Sequence, residues 1–361
     1  MIEYENLGKL NAPFLHQFQE AFERVQNSGW FILGKEVAAF EKEFAEYCGS
    51  KSCVGLANGL DALALGLRAL GLNRGDEVIV PSNTYIATIL AIVQCGLKPV
   101  LAEPDIHTYN IDPLNIEKAI TPKTRAIIPV HLYGKCCDMK RIMQIAQQHQ
   151  LKVIEDAAQA HGASQFGVRA GNFGHLAAFS FYPTKNLGAL GDAGAITSSD
   201  ETLVAKIQML RNYGSSKKYY NDVVGYNSRL DELQAAILNE KLKSLNHIND
   251  HKRKLADIYH FGLKSDFVLP VRQENYYDVF HIYNVRHERR DELRNYLLEN
   301  SIGTEIHYPV APADQKAMRG ILDDYDCPLA REIHQTTLSL PISYFHTEKD
   351  IEKVVDVMNS F

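Results

Sequence analysis

Apolar and polar positions alternate in blocks through the first half of the chain. Short runs rich in Val and Ile occur at 77–80, 98–102, 125–130 and 152–155, and between them lie stretches with helical spacing at 61–70, 84–95 and 139–148. Short β-branched runs bounded by polar residues predict buried strands, and the longer periodic segments predict the helices that cover them. This βα alternation predicts an α/β fold with a mostly parallel central sheet covered on both faces. Ligands in such sheets bind beyond the carboxyl ends of the strands, and Pro81, His131 and Asp156 each follow a predicted strand directly.

After residue 236 the pattern changes to a long charged helical stretch at 238–261, a short strand candidate at 281–285 and another helix at 291–299. The change predicts two parts: an N-terminal segment plus large domain over 1–236, and a smaller C-terminal α+β domain over 237–361. No repeat of 20–50 residues interrupts this plan.

With 361 residues, 45% of them hydrophobic and 23% charged, the chain can bury a large core and a second, smaller one. A formal charge of −6 offers no global attraction to nucleic acid or an anionic membrane, so an anionic substrate requires a local site. The start Met1-Ile2-Glu3-Tyr4-Glu5 lacks the basic and apolar regions of a signal peptide, and no run of about 18 apolar residues follows. The expectation is a cytoplasmic protein with neither nucleic acid nor membrane as partner. Six cysteines (48, 53, 95, 136, 137 and 327) show no paired C-x2-C spacing and read as reduced structural thiols, with no metal site.

Two segments carry chemistry. Val153-Ile154-Glu155-Asp156-Ala157-Ala158-Gln159 delivers a carboxylate and an amide at the end of a predicted strand, and Ser180-Phe181-Tyr182-Pro183-Thr184-Lys185 places a hydroxyl and a lysine in the turn that follows. Pyridoxal phosphate needs a lysine to hold its aldehyde, a carboxylate for its ring nitrogen and donors for its phosphate. Lys185 is the expected Schiff-base nucleophile, and desolvation is one way to free its lone pair at neutral pH. Asp156 is the expected partner of the ring nitrogen, and Gln159 would reach the phenolic oxygen if the chain turns helical after Asp156. Gly59 and Leu60 open a helical pattern where backbone N–H groups can approach a phosphate, and Ser180 adds a hydroxyl. The glycines at 188, 191 and 194 have the wrong spacing for a dinucleotide fingerprint and read as a turn around the lysine.

These segments, together with Gly29-Trp30-Phe31-Ile32-Leu33-Gly34, Ala57-Asn58-Gly59-Leu60-Asp61, Pro81-Ser82-Asn83-Thr84-Tyr85, Gly225-Tyr226-Asn227-Ser228-Arg229 and Ile306-His307-Tyr308-Pro309, occur in an order that resembles the DegT/DnrJ/StrS family of nucleotide-sugar aminotransferases. The resemblance spans nearly the whole chain. It implies a fold type I, aspartate aminotransferase-like transferase that works as a homodimer with shared active sites, cycling between pyridoxal and pyridoxamine 5'-phosphate. By the same resemblance Lys185 shuttles the proton, Tyr85 stacks on the ring, and Asn227 reaches the phosphate bound by the other subunit. Tyr182, His307, Tyr308, Arg211 and Tyr219 are implied substrate contacts.

The form Asn58-Gly59-Leu60-Asp61, with no hydroxyl residue after the glycine, is similar to that of the QdtB and FdtB type of aminotransferase. That implies amino transfer from L-glutamate to C3 of a dTDP-3-keto-6-deoxyhexose, gluco- or galacto-configured, giving a dTDP-3-amino-3,6-dideoxyhexose for surface polysaccharides such as lipopolysaccharide O-antigen. Asp314 departs from relatives that carry His before the Gln. A 4-keto nucleotide-sugar aminotransferase and a lyase or dehydratase of the same fold are the alternatives; sugar dehydratases replace the aldehyde-binding lysine with histidine, which Lys185 opposes.

Overall fold

The computed structural model describes residues 1–361. Its centre is a seven-stranded sheet formed by β1 (Ser52–Leu56), β2 (Glu77–Pro81), β3 (Lys98–Ala102), β4 (Thr124–Ile127), β5 (Lys152–Asp156), β6 (Leu176–Ser180) and β7 (Gly194–Ser198), in the spatial order β1-β7-β6-β5-β4-β2-β3. Pairings from β6 through β5, β4 and β2 to β3 are parallel, while β7 runs antiparallel to both of its neighbours. The sheet is therefore mostly parallel, as the βα alternation predicts, and β5 lies at its middle.

Helices α1 (Gly59–Ala69) and α2 (Ile86–Gln94) cover one face, where Leu63, Leu67, Ile89 and Ile92 pack with Val54, Val80, Ile154 and Ile196 of the strands. Val153, Ile127 and Ile79 face the opposite way, into a cluster with Met139, Ile142 and Ile145 of the helix Met139–Gln148. β5 is thus buried on both faces: Val153 and Ile154 fill opposite layers, and the strand ends in two buried carboxylates, Glu155 and Asp156.

The predicted single helix at 238–261 is two helices, α3 (Glu232–Leu242) and α4 (Leu245–Gly262). α3 packs on the N-terminal helices Leu15–Ser28 and Lys35–Cys48, whereas α4 packs on α5 (Glu348–Met358). One straight helix cannot follow both sets of partners, and the chain turns at Lys243 and Ser244. Position 236, the predicted division, falls inside α3. The C-terminal part builds its own core from α4, α5, the helix Arg290–Glu299 and the antiparallel pair Tyr283–Arg286 with Thr337–Leu340; Ile2, at the opposite end of the chain, joins this cluster. We propose the two parts as separate domains that share α3.

Candidate active site

The carboxyl ends of β5 and β6, the start of α1 and the segment around His307 enclose a cavity of about 670 Å³. Asp156 enters it as the last residue of β5 and is almost fully buried. Its carboxylate accepts from Thr88 Oγ1 at 2.8 Å and from the Ala158 N–H at 3.2 Å, and Thr88 Oγ1 in turn lies 2.8 Å from Oγ1 of Thr84, in the turn just before α2. Burial pushes the Asp156 carboxyl above its ordinary value, while Thr88, Ala158 and the nearby Lys185 oppose that rise. An acid so placed is stabilised as an anion when a positive charge arrives beside it.

Lys185 sits in a turn closed by its own N–H donating to the Tyr182 carbonyl at 2.8 Å. The next side chain anchors this turn: Asn186 donates to Asn249 Oδ1 at 2.8 Å and to the Val279 carbonyl at 2.9 Å, and accepts from Lys252 Nζ at 3.0 Å. Burial lowers the Lys185 amine to about 8, against a smaller opposing pull from Asp156. A meaningful fraction of the amine is therefore uncharged near neutral pH, which is what carbonyl attack requires.

At the other side of the cavity, Asn58 caps α1, its Oδ1 accepting from the Asp61 N–H at 2.8 Å. The first amides of α1 have no intrahelical acceptor and present a positive end. Gly59 lets this end approach β6 closely: a Cβ there would lie 2.6 Å from Ser180 Cβ. Gly194, read from the sequence as part of a turn, is instead the first residue of β7, and a Cβ on it would meet the Asn58 backbone at 2.3 Å. Gly59, Leu60 and Ser180 line this end of the cavity, where backbone N–H groups and a hydroxyl could hold an anion.

The third wall is aromatic. The Tyr85 and Tyr308 rings lie 5.0 Å apart, and Gln159 Nε2 donates to the Tyr308 hydroxyl at 2.9 Å while its Oε1 accepts from the Tyr133 N–H at 2.6 Å. Gln159 keeps a second amide hydrogen for the cavity. Tyr133, whose hydroxyl also donates to the His307 carbonyl, ties this wall to the C-terminal part. Burial and the positive charge of Lys185 depress His307 to about 4, so it lines the cavity as a neutral imidazole.

Lysine, buried carboxylate, anion cradle and aromatic faces are the groups pyridoxal phosphate needs, and the residues present fit it. Lys185, Asp156, Gly59, Leu60, Tyr85, Gln159, Ser180, Tyr182, His307 and Tyr308 all line this one cavity. Three expected residues do not. Arg211 is a correction to the expected substrate contact: it is buried elsewhere, its guanidinium held by Glu41 and by the Gly55 carbonyl at 2.9 Å, so its charge is already used in joining β1 to its surroundings. Tyr219 is 86% exposed near the tip of a hairpin formed by Ser215–Lys217 and Tyr220–Asn221, away from its own chain's cavity. Asn227 is exposed as well and forms a backbone bridge with Asn212.

Sequence reasoning missed Thr88, Tyr133 and His281, the last with its Nε2 3.3 Å from Lys185 Nζ. The Thr84 and Thr88 pair leaves only a weak signal, two hydroxyls four apart where a strand passes into a helix, the first in the connecting turn and the second on the helix. No local signal points to His281, 96 residues beyond the lysine it touches.

The DegT/DnrJ/EryC1/StrS aminotransferase family model matches residues 15–359. A dTDP-3-amino-3,6-dideoxy-alpha-D-galactopyranose transaminase of Aneurinibacillus thermoaerophilus is 51% identical over 100% of this chain and 99% of its own length. Among solved structures, S. venezuelae DesV in complex with a ketimine intermediate superposes with a TM-score of 0.97 at 44% identity, covering 99% of this chain and 98% of that one. NtdA from Bacillus subtilis with bound cofactor PMP gives 0.93 at 32% identity, covering 100% and 85%.

Proposed function

Because this chain belongs to the DegT/DnrJ/EryC1/StrS aminotransferase family, we propose that it uses pyridoxal 5'-phosphate to move an amino group from L-glutamate to C3 of a dTDP-3-keto-6-deoxyhexose, yielding a dTDP-3-amino-3,6-dideoxyhexose for surface polysaccharide synthesis. The observation that carries the substrate is the 51% identity, end to end, with a transaminase named for the galacto-configured 3-amino sugar.

Pyridoxal phosphate, when bound, supplies a ring that takes up the electron pair left by a breaking C–H bond. Lys185 Nζ would hold the cofactor at rest and, once the donor's amine has displaced it, would as a free amine take the proton from the donor's α-carbon and later deliver one to C3 of the sugar. Proton transfer by one positioned base is typically worth ~10²–10⁴-fold. Asp156, its carboxylate fixed by Thr88 and the Ala158 amide, would hold the proton on the ring nitrogen. Gly59, Leu60 and Ser180 would hold the phosphate, Tyr85 would stack on the ring, and Gln159 would offer its amide to the phenolic oxygen. Tyr182, His307 and Tyr308 contact the sugar or its diphosphate.

The enzyme acts in the cytoplasm as a homodimer with shared sites, in which Asn227 and the hairpin bearing Tyr219 serve the cavity of the other copy. Exposed Trp30, Phe31, Tyr219 and Val224 supply apolar surface for such an interface. No helix is long and apolar enough to cross a membrane.

The test is the absorption spectrum of the cofactor-loaded protein before and after L-glutamate, followed by addition of the 3-keto sugar or its 4-keto isomer. Loss of the lysine-bound cofactor band with glutamate and its return only with the 3-keto sugar is the expected result. Return with the 4-keto isomer overturns the regiochemistry; absence of the band overturns the role of Lys185.

A further inference from the structure

Near Lys185 lies a histidine to which the proposed chemistry gives no task. His281 Nε2 stands 3.3 Å from Lys185 Nζ, at the start of the segment leading into the strand Tyr283–Arg286. Its position is fixed from behind: the His281 carbonyl accepts from the buried Lys252 Nζ at 3.2 Å, and the same ammonium binds Asn186, the neighbour of Lys185. One buried lysine thus clamps both the nucleophile's turn and the histidine facing it. The other ring nitrogen, Nδ1, is shut off from solvent and has no hydrogen-bond partner.

Burial, together with Lys185, Lys252, His307 and His161, holds His281 well below its ordinary value, so the ring is neutral and carries one N–H. A proton on Nδ1 would leave a buried donor unpaired. A proton on Nε2 leaves only a bare acceptor there, which proteins tolerate better. The second tautomer donates to Lys185 only when the lysine offers a lone pair, that is, when it is an amine and not an ammonium. Asp156 alone among the charged neighbours favours the ammonium.

We propose that His281 is a positioning residue for Lys185: protonated at Nε2, it donates to the Nζ lone pair and holds the free amine neutral and aimed into the cavity whenever the lysine is not bonded to cofactor. The proposal rests on the assignment of Lys185 as the attachment point, and the test separates the two.

Cofactor-free protein is mixed with pyridoxal phosphate across pH 6–10, the attachment rate is read from absorbance, and the attachment site is located by mass spectrometry after borohydride reduction. In the wild-type protein the rate should rise with pH through an inflection near 8. His281→Phe keeps a ring but removes the donor, and its inflection should move up by about one unit, making attachment at pH 7 about tenfold slower. His281→Gln restores an amide N–H at the Nε2 position and should return the inflection toward the wild-type value. An unshifted inflection in His281→Phe, or an equal shift in both variants, overturns the proposal while leaving Lys185 in its role. Label on another lysine overturns both. Should His281→Phe not fold, ¹⁵N NMR of the wild-type imidazole decides: an N–H on Nε2 supports the proposal and one on Nδ1 overturns it.

Discussion

Replacing Thr88 by Val removes one hydroxyl and almost nothing else, because the two side chains have nearly the same shape. Thr88 is buried, and its hydroxyl supplies one of the two hydrogen bonds to the Asp156 carboxylate, at 2.8 Å. The remaining donor, the Ala158 N–H, is longer at 3.2 Å. A hydrogen bond to a charged group contributes about 1.5–3 kcal/mol, and this one favours the anion against the burial that raises Asp156. Its loss should weaken the hold on the ring-nitrogen proton and lower kcat/KM for the glutamate half-reaction by roughly 10- to 100-fold. Stopped-flow absorbance at saturating cofactor measures it, with a thermal melt to report the loss of the Thr84 contact separately. Thr84→Val, one bond further from the acid, should show a clearly smaller kinetic effect. Equal kinetic losses in the two variants, or none in Thr88→Val, would refute the view that Thr88 acts through Asp156.

Two further outcomes follow from the site's neighbours. Gly59→Ala puts a Cβ 2.6 Å from Ser180 Cβ, in contact with backbone that cannot step aside; overpacking of about 1–3 kcal/mol should appear as roughly 10- to 100-fold weaker cofactor binding by equilibrium titration. Arg211→Leu leaves Glu41 without its mostly buried partner and should cost about 3–5 kcal/mol of stability in urea melts, with KM for the sugar changed little in the folded fraction.

Much of the sheet was legible because its central strands carry Val and Ile set among helical patterns, as in Val78-Ile79-Val80 of β2 and the Val153-Ile154 pair of β5. The strands left unread are the ones whose residues do not favour strands locally. β6 is Leu-Ala-Ala-Phe-Ser, and β7 begins at Gly194 with Ala behind it. Alanine and glycine are depleted in strands, and only tertiary pairing between β1, β7 and β6 decides their state. Small residues are needed there because Asn58 packs directly on Gly194. The site divided along the same line. Lys185, Asp156, Gln159 and Ser180 lie in two short segments whose order alone suggests the chemistry, and all four line the cavity. Arg211 was misread because a free surface arginine and one already paired with Glu41 look alike in sequence. Tyr133 and His281 were missed because their contacts, Gln159 to one and Lys185 to the other, close only when distant segments meet.

The clamp around Asn186 also bears on how the protein comes into being. Asn249, Lys252 and Val279 all lie at least 63 positions after Asn186, so a ribosome must release that much more chain before the lysine's turn can be pinned. Domains tend to form in the order they are synthesised, and the turn's local bond from the Lys185 N–H to the Tyr182 carbonyl needs no later residue, whereas the Asn186 anchor does. A chain cut short before residue 249 lacks every one of these partners, so the position of the lysine's turn depends on the C-terminal part.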